Sequence, residues 1–260
     1  MRAIILAAGR GSRLGADRPK GLVDLAGTPM IDRQIAVMRG AGIKDIVIVT
    51  GYRAELLARR GITTRHNAAW ESTNMVESLF CAEDAFGDDV IVAYADIVYE
   101  PRVIAALVVS PHEVSVIVDR AWHPYWAARF DDPLADAESL RLDAAGRILD
   151  IGNKVARIDE IQAQYIGLTR FRGQGVAALR AARAAWDTTR RPWMERRPVV
   201  KAYMTDLLME LILRGIGVYA VPVDGGWLEI DTPHDLELAT ALFAGGGPAT
   251  LRPSRSMAGA

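Results

Sequence analysis

Four short runs in the first half of the chain, Ile4–Ala8, Ile46–Thr50, Val90–Ala95 and Val114–Val118, are continuous and rich in Val, Ile or Ala. A strand that is apolar on both sides is covered on both sides, which is the situation of a largely parallel sheet. Between these runs, Met30–Arg39, Ala54–Arg60, Met75–Phe86 and Pro101–Val109 predict helices. In the first of them Ile31, Ile35 and Met38 share one face, while Asp32, Arg33 and Arg39 are free to meet water. Thr28-Pro29 supplies a cap and a first-turn proline for that helix. Strands alternating with single helices predict right-handed crossovers and a doubly wound α/β layer.

The rhythm changes after about residue 119. Arg141–Ile148 reads as strand, glycine turn, strand, and Gln164–Phe171 as a further strand. A helix is expected near Val176–Trp186, a surface loop over Arg190–Arg197 and a helix over Tyr203–Arg214. Val218–Val221 and Trp227–Ile230 then predict strands, and Pro233–Phe243 a last helix. Residues 1–243 therefore read as one domain with an inserted hairpin region at about 119–172. Residues 244–260, rich in Gly, Pro, Ala and Ser, read as a flexible tail.

Composition narrows the function. The 31 basic and 32 acidic residues leave a net charge of -1, which gives no strongly basic face for nucleic acid. One cysteine, Cys81, permits no internal disulfide and points to a reducing, cytoplasmic setting. The apolar runs fall far short of the roughly 18 residues a membrane helix needs. The apolar start of the chain breaks at Gly9-Arg10-Gly11, too early for a secretory signal. Of the basic residues 27 are Arg and four are Lys, so a lysine inside a motif stands out.

One such lysine follows the first strand. Leu6-Ala7-Ala8-Gly9-Arg10-Gly11-Ser12-Arg13-Leu14-Gly15 is poor in side chains, so its amides can approach an anion closely. Arg13 and Lys20 flank it with the charges a polyphosphate requires. The dinucleotide fingerprint fails because its third glycine position is Leu14, and no Gly-Lys-Ser/Thr follows for a Walker loop. Asp96 ends the third buried run, and Glu229 and Asp231 stand at a late strand exit. Strand ends of this kind face the ligand crevice of an open α/β sheet, and Asp96 with Asp231 could hold a hard cation there, with Glu229 a further ligand. Asp231 could equally cap the helix starting near Pro233, and Asp96 could be a turn residue.

The loop with Pro19-Lys20 resembles the signature of the nucleotidyltransferase superfamily of sugar-1-phosphate and phosphocholine-type transferases, and the order loop, lysine, strand-end Asp, late Glu-x-Asp resembles its metal site. The resemblance extends over nearly the whole folded chain. It implies a Rossmann-like core, Mg2+ as cofactor, and transfer of a nucleoside monophosphate from a triphosphate to a phosphate. It places Leu6, Ala7, Ala8, Gly9, Gly11 and Ser12 at the nucleotide, Arg13 on the triphosphate tail, Lys20 on the α-phosphate, and Asp96 and Asp231 on the metal. Asn74 and Ser78 resemble the segment that phosphocholine cytidylyltransferases place beside the base, although Thr73 or Asn74 also reads as a plain helix cap. CTP as donor rests on the resemblance alone. Lys154 resembles the lysine that holds the acceptor phosphate, and Tyr165 lies in a segment similar to the acceptor-side strand.

On their own chemistry, Trp122 and Trp126 could surround an ammonium group or simply pack the inserted region. Glu138, near Asp136, could pair with an amine. The expected partners are thus CTP and a small phosphate or phosphonate, such as phosphocholine, phosphoethanolamine or aminoethylphosphonate. No nucleic acid or membrane partner is expected, and a homo-oligomer is left open. A sugar-1-phosphate nucleotidyltransferase using dTTP, UTP or GTP is the alternative enzyme, and a nucleotide-sensing domain without catalysis the alternative of another class.

Overall fold

The computed structural model describes residues 1–15, 17–189 and 198–244. The loop expected over Arg190–Arg197 lies outside them, as does the tail expected over 244–260 apart from Ala244, which is the last residue of a helix. In chain order the elements are β1 (Arg2–Ala7), β2 (Asp24–Leu25), β3 (Thr28–Pro29), α1 (Met30–Gly40), β4 (Asp45–Thr50), β5 (Thr63–His66), α2 (Met75–Phe80), β6 (Asp89–Tyr94), β7 (Ile97–Tyr99), α3 (Pro101–Val108), β8 (Val114–Asp119) and α4 (Trp122–Arg129). There follow β9 (Leu140–Leu142), β10 (Ile148–Ile151), β11 (Gln164–Arg172), α5 (Gln174–Thr189), α6 (Met204–Leu213), β12 (Val218–Val223), β13 (Trp227–Glu229) and α7 (Pro233–Ala244).

Seven strands form one sheet in the order β12-β8-β11-β6-β1-β4-β5. Pairing is parallel throughout except at β11, which runs antiparallel to both β6 and β8. This is a Rossmann-like, mostly parallel sheet with helices on both faces. The alternation of β1 shows why its whole run had to be apolar. Ala3, Ile5 and Ala7 enter the core layer with Ile31 of α1 and Ile104 of α3, whereas Ile4 and Leu6 enter the opposite layer with Leu79 of α2 and Leu207 of α6. The inserted hairpin forms as β9 and β10, paired antiparallel.

Several expected elements differ. Ala54–Arg60 makes only a single 3-10 turn at Ala54–Leu57, after which Ala58 is already extended. The helix expected to run to Phe86 stops at Phe80, and Glu83–Ala85 forms a separate 3-10 turn. The aromatic stretch after residue 119 is a helix, α4, and not the base of a hairpin. Four short strands had no expectation: β2 and β3, which pair antiparallel over the residues expected to cap α1, β5 at the sheet edge, and β7, which pairs antiparallel with β13 in a ribbon apart from the main sheet.

Candidate active site

The glycine loop leaves the end of β1 and turns through Gly11 at φ 68° into a 3-10 turn, Ser12–Leu14, closed by Gly15 at φ 65°. Left-handed backbone of this kind favours glycine. At Gly11 there is a second reason, since a Cβ there would lie 2.9 Å from the Cβ of Lys20. Gly9 has open space around it, so packing does not demand its small size. Behind the loop is a cavity of about 390 Å3, bordered by Leu6, Ala7, Ala8, Gly9 and Ser12, and by Lys20, Trp70, Asn74 and Ser78. Its outer wall is tightly set. A Cβ on Gly51 would meet both the Ala8 carbonyl and the Trp70 side chain at 2.6 Å, and Trp70 packs on Tyr52 with centroids 5.3 Å apart.

Asn74 stands at the start of α2 but makes no capping bond with its side chain. Its Nδ2 donates instead to the Lys201 carbonyl at 3.0 Å, tying the cavity rim to the segment before α6. The buried Ser78 hydroxyl accepts from Asn67 Nδ2 at 3.0 Å.

At the mouth of the cavity, carboxylate oxygens of Asp96, Glu229 and Asp231 all lie within 4.8 Å of one another. The β7–β13 ribbon brings them together: Ile97 is paired with Glu229, and the Ile230 amide donates to the Asp96 carbonyl at 2.9 Å. Lys20 Nζ donates to Asp96 Oδ2 at 2.7 Å and also to Asp231 Oδ1. Arg13 Nη2 reaches Asp231 Oδ2 at 3.0 Å. Asp96 Oδ1 is buried and has no hydrogen-bond partner among the described residues. A buried anionic oxygen in that state asks for a cation, and an all-oxygen donor set suits a hard one. The residues therefore fit a divalent ion such as Mg2+.

The helix-cap alternative for Asp231 does not hold. At the start of α7, Thr232 Oγ1 accepts from the Asp235 amide, and Asp235 Oδ2 accepts from the Thr232 amide. That reciprocal box satisfies the helix start and leaves the Asp231 carboxylate to the cluster. Asp235 went unnoticed in the sequence, although Thr232-Pro233-His234-Asp235 carries the spacing of such a box.

Helix α4 sits beneath this cluster. Arg129, whose side chain is fully buried, bonds Glu229 Oε2 at 2.7 Å and Asp235 Oδ1 at 2.9 Å, and lies 3.9 Å from Asp231. Burial opposes its charge, but Glu229 and Asp235 outweigh it and raise its pKa. Burial in turn raises the pKa of Glu229 against the pull of Arg129. The Tyr125 hydroxyl accepts from the Glu229 amide at 2.9 Å and donates to the Glu229 carbonyl at 3.0 Å. Trp122 is buried edge-on against Trp126 and borders none of the cavities described here, so it packs the core and is not brought to a ligand. No sequence signal singled out Arg129 among 27 arginines.

A second cavity, about 200 Å3, adjoins the carboxylate cluster through Glu229, Tyr94 and Met75. Trp126, Asp136, Glu138, Tyr165 and Thr205 also border it, and among the described residues no Lys or Arg does. Trp126 presents an edge here, its Nε1 donating to Asp136 Oδ2 at 3.1 Å. Burial raises the pKa of Glu138, opposed by Lys154 and by a hydrogen bond from Thr205. The Tyr165 ring meets Tyr94 at 78°. Lys154 does not enter this cavity. Its Nζ donates to the carbonyls of Ala135 and Asp136, at 3.0 and 3.1 Å, and so braces the turn that carries Glu138.

The sequence matches the family of MobA-like NTP transferase domains over residues 3–153. It is 37% identical over 252 residues to a CTP:phosphoglutamine cytidylyltransferase of Campylobacter jejuni, covering 92% of this chain and 98% of that protein. The structure is similar in fold to the CTP:phosphocholine cytidylyltransferase of Streptococcus pneumoniae, with a TM-score of 0.66 at 20% identity over 93% of this chain and 98% of that one. It is likewise similar to the inositol-1-phosphate CTP transferase of T. maritima, with a TM-score of 0.66 at 20% identity and 90% of each chain covered.

Proposed function

This chain belongs to the family of MobA-like NTP transferase domains, and from that premise we propose that it is a Mg2+-dependent cytidylyltransferase that moves CMP from CTP to a small phosphate or phosphonate. The observation that carries the reading is the carboxylate cluster set between two cavities, one under the glycine loop and one lined with acids. CTP is supported by the similarity to a CTP-using cytidylyltransferase over 92% of this chain.

In this reading the acceptor oxygen forms a bond to the α-phosphorus of CTP while the bond to the β-phosphate oxygen breaks, and pyrophosphate leaves with the electron pair. A phosphate acceptor is already ionised near neutrality, so positioning and charge neutralisation do most of the work. The loop around Gly9, Gly11 and Ser12 cradles the phosphates with its backbone, and Arg13 and Lys20 supply positive charge. Asp96, Asp231 and Glu229 hold the divalent ion, which neutralises charge on the triphosphate when bound. Arg129 and Tyr125 hold Glu229 in place. Asn74 and Ser78 border the nucleoside. Residues 1–243 act as one transferase domain, cytoplasmic in location, whose stretch at about 119–172 supplies the acceptor side.

The acceptor cavity favours a positively charged organic group. Three carboxylates, Asp136, Glu138 and Glu229, border it and no Lys or Arg among the described residues does, an arrangement suited to a group that brings positive charge. Trp126 offers it an edge, so a primary ammonium that can donate to Glu138 suits it better than a quaternary one. The test is a pyrophosphate-release screen crossing four nucleoside triphosphates with phosphoethanolamine, aminoethylphosphonate, phosphocholine, phosphoglutamine and hexose 1-phosphates. Release with CTP and an amine-bearing acceptor, abolished in Asp96→Asn, is expected. Turnover of hexose 1-phosphates alone would refute the assignment.

A further inference from the structure

We propose that Lys20 is the resident counter-cation of the carboxylate cluster, and that a divalent ion gains Asp96 and Asp231 only when a triphosphate draws this ammonium away. The inference rests on the reading of the loop as a triphosphate site and adds to it a coupling between metal and nucleotide.

Lys20 and a metal ion need the same atoms. The ammonium engages one oxygen of Asp96 and one of Asp231, while Arg13 takes the second oxygen of Asp231 and Arg129 an oxygen of Glu229. Lys20, Asp96 and Asp231 are all largely buried, with side chains 15%, 17% and 11% exposed, so water screens their interactions little. A doubly charged ion entering beside Lys20 would meet a like charge at bonding distance from two of its ligands.

The structure also supplies the alternative partner. Lys20 borders both the cluster and the cavity under the glycine loop, so a modest swing carries its ammonium from one to the other. Gly21, next to Lys20, is buried against Ala95 and Ile31, a Cβ there reaching each at 3.4 Å, so the backbone at this point is closely packed. The four-carbon stem of lysine is the moving part, and Gly11 leaves it room, since a Cβ there would strike the Lys20 stem. Because coupling between two ligands is reciprocal, the same exchange makes the metal raise affinity for the nucleotide.

The test reads metal binding without nucleotide. Mn2+ is titrated into the wild-type protein and into Lys20→Met, with free Mn2+ followed by electron paramagnetic resonance. The lysine variant is expected to bind Mn2+ at least about tenfold more tightly, corresponding to roughly 1.4 kcal/mol, although it is impaired in turnover. Asp96→Asn added to that variant removes the gain. Lys20→Gln repeats the measurement should the Met variant fold poorly, with thermal unfolding as the check. Equal or weaker Mn2+ binding in a folded Lys20 variant would overturn the proposal. Pyrophosphate release by the wild-type protein is scored separately, so loss of the transferase reading and loss of the exchange are told apart.

Discussion

Glu138 shows how a residue's role depends on what surrounds it. Buried beside Asp136 and Asp206, its carboxyl has a raised pKa despite Lys154 nearby. The ionised form is the one that can hold an ammonium, so kcat/KM for an amine acceptor falls as pH drops through that raised value, earlier than an ordinary glutamate would allow. In Glu138→Gln this acidic limb should vanish and KM for the amine acceptor rise by roughly 10- to 100-fold, the equivalent of about 1.5–3 kcal/mol for a charged hydrogen bond, with KM for CTP unchanged. Steady-state profiles of both proteins against pH check this. Its neighbours divide differently from their sequence reading. Trp126 reaches the same cavity, but Trp122 turns into the core and Lys154 spends its ammonium on two carbonyls. An indole and an ammonium each have good uses away from any ligand, and spacing along the chain does not distinguish these uses.

At the scale of elements, the cluster is assembled by pieces too short to announce themselves. β7 and β13 are three residues each, yet their pairing carries Glu229 and Asp231 across more than 130 residues of sequence to Asp96. Helix α4 fixes the result from below through Arg129 and Tyr125. Arg129→Ala should therefore lower stability by about 3–5 kcal/mol, since it leaves buried Asp235 and Glu229 without their counter-charge. Chemical denaturation measures the loss. A stability change under 1 kcal/mol would show that α4 does not brace the site. The long apolar strands were readable because burial on both faces leaves one pattern only. Ala54–Arg60 misled because a few helix-forming residues are satisfied by a single turn when no partner surface extends it.

Over the whole molecule, the site is assembled from segments far apart in the chain, the loop after β1 and the acids that follow β6 and β13, which meet around one cavity. A ligand bridging them should stabilise the entire domain. With CTP and Mg2+ at about 100 times the dissociation constant, stability is expected to rise by about 2.7 kcal/mol, which moves the melting temperature by roughly 5–10 °C for a chain of this size. Calorimetry with CTP alone, Mg2+ alone and both together checks this, and the combined shift should exceed the sum of the separate ones.

The amino-acid sequence alone determined the α/β layering, the glycine loop with Arg13 and Lys20, and the acids at the strand ends, because each is written locally in hydrophobic period, glycine placement or charge. Only the tertiary structure decided that Asp231 serves the cluster while Asp235 caps the helix, that the aromatic helix braces Glu229, and that Lys20 lies between two aspartates. Those outcomes depend on which groups meet across long stretches of chain, and on which buried polar atoms remain to be satisfied once they have met.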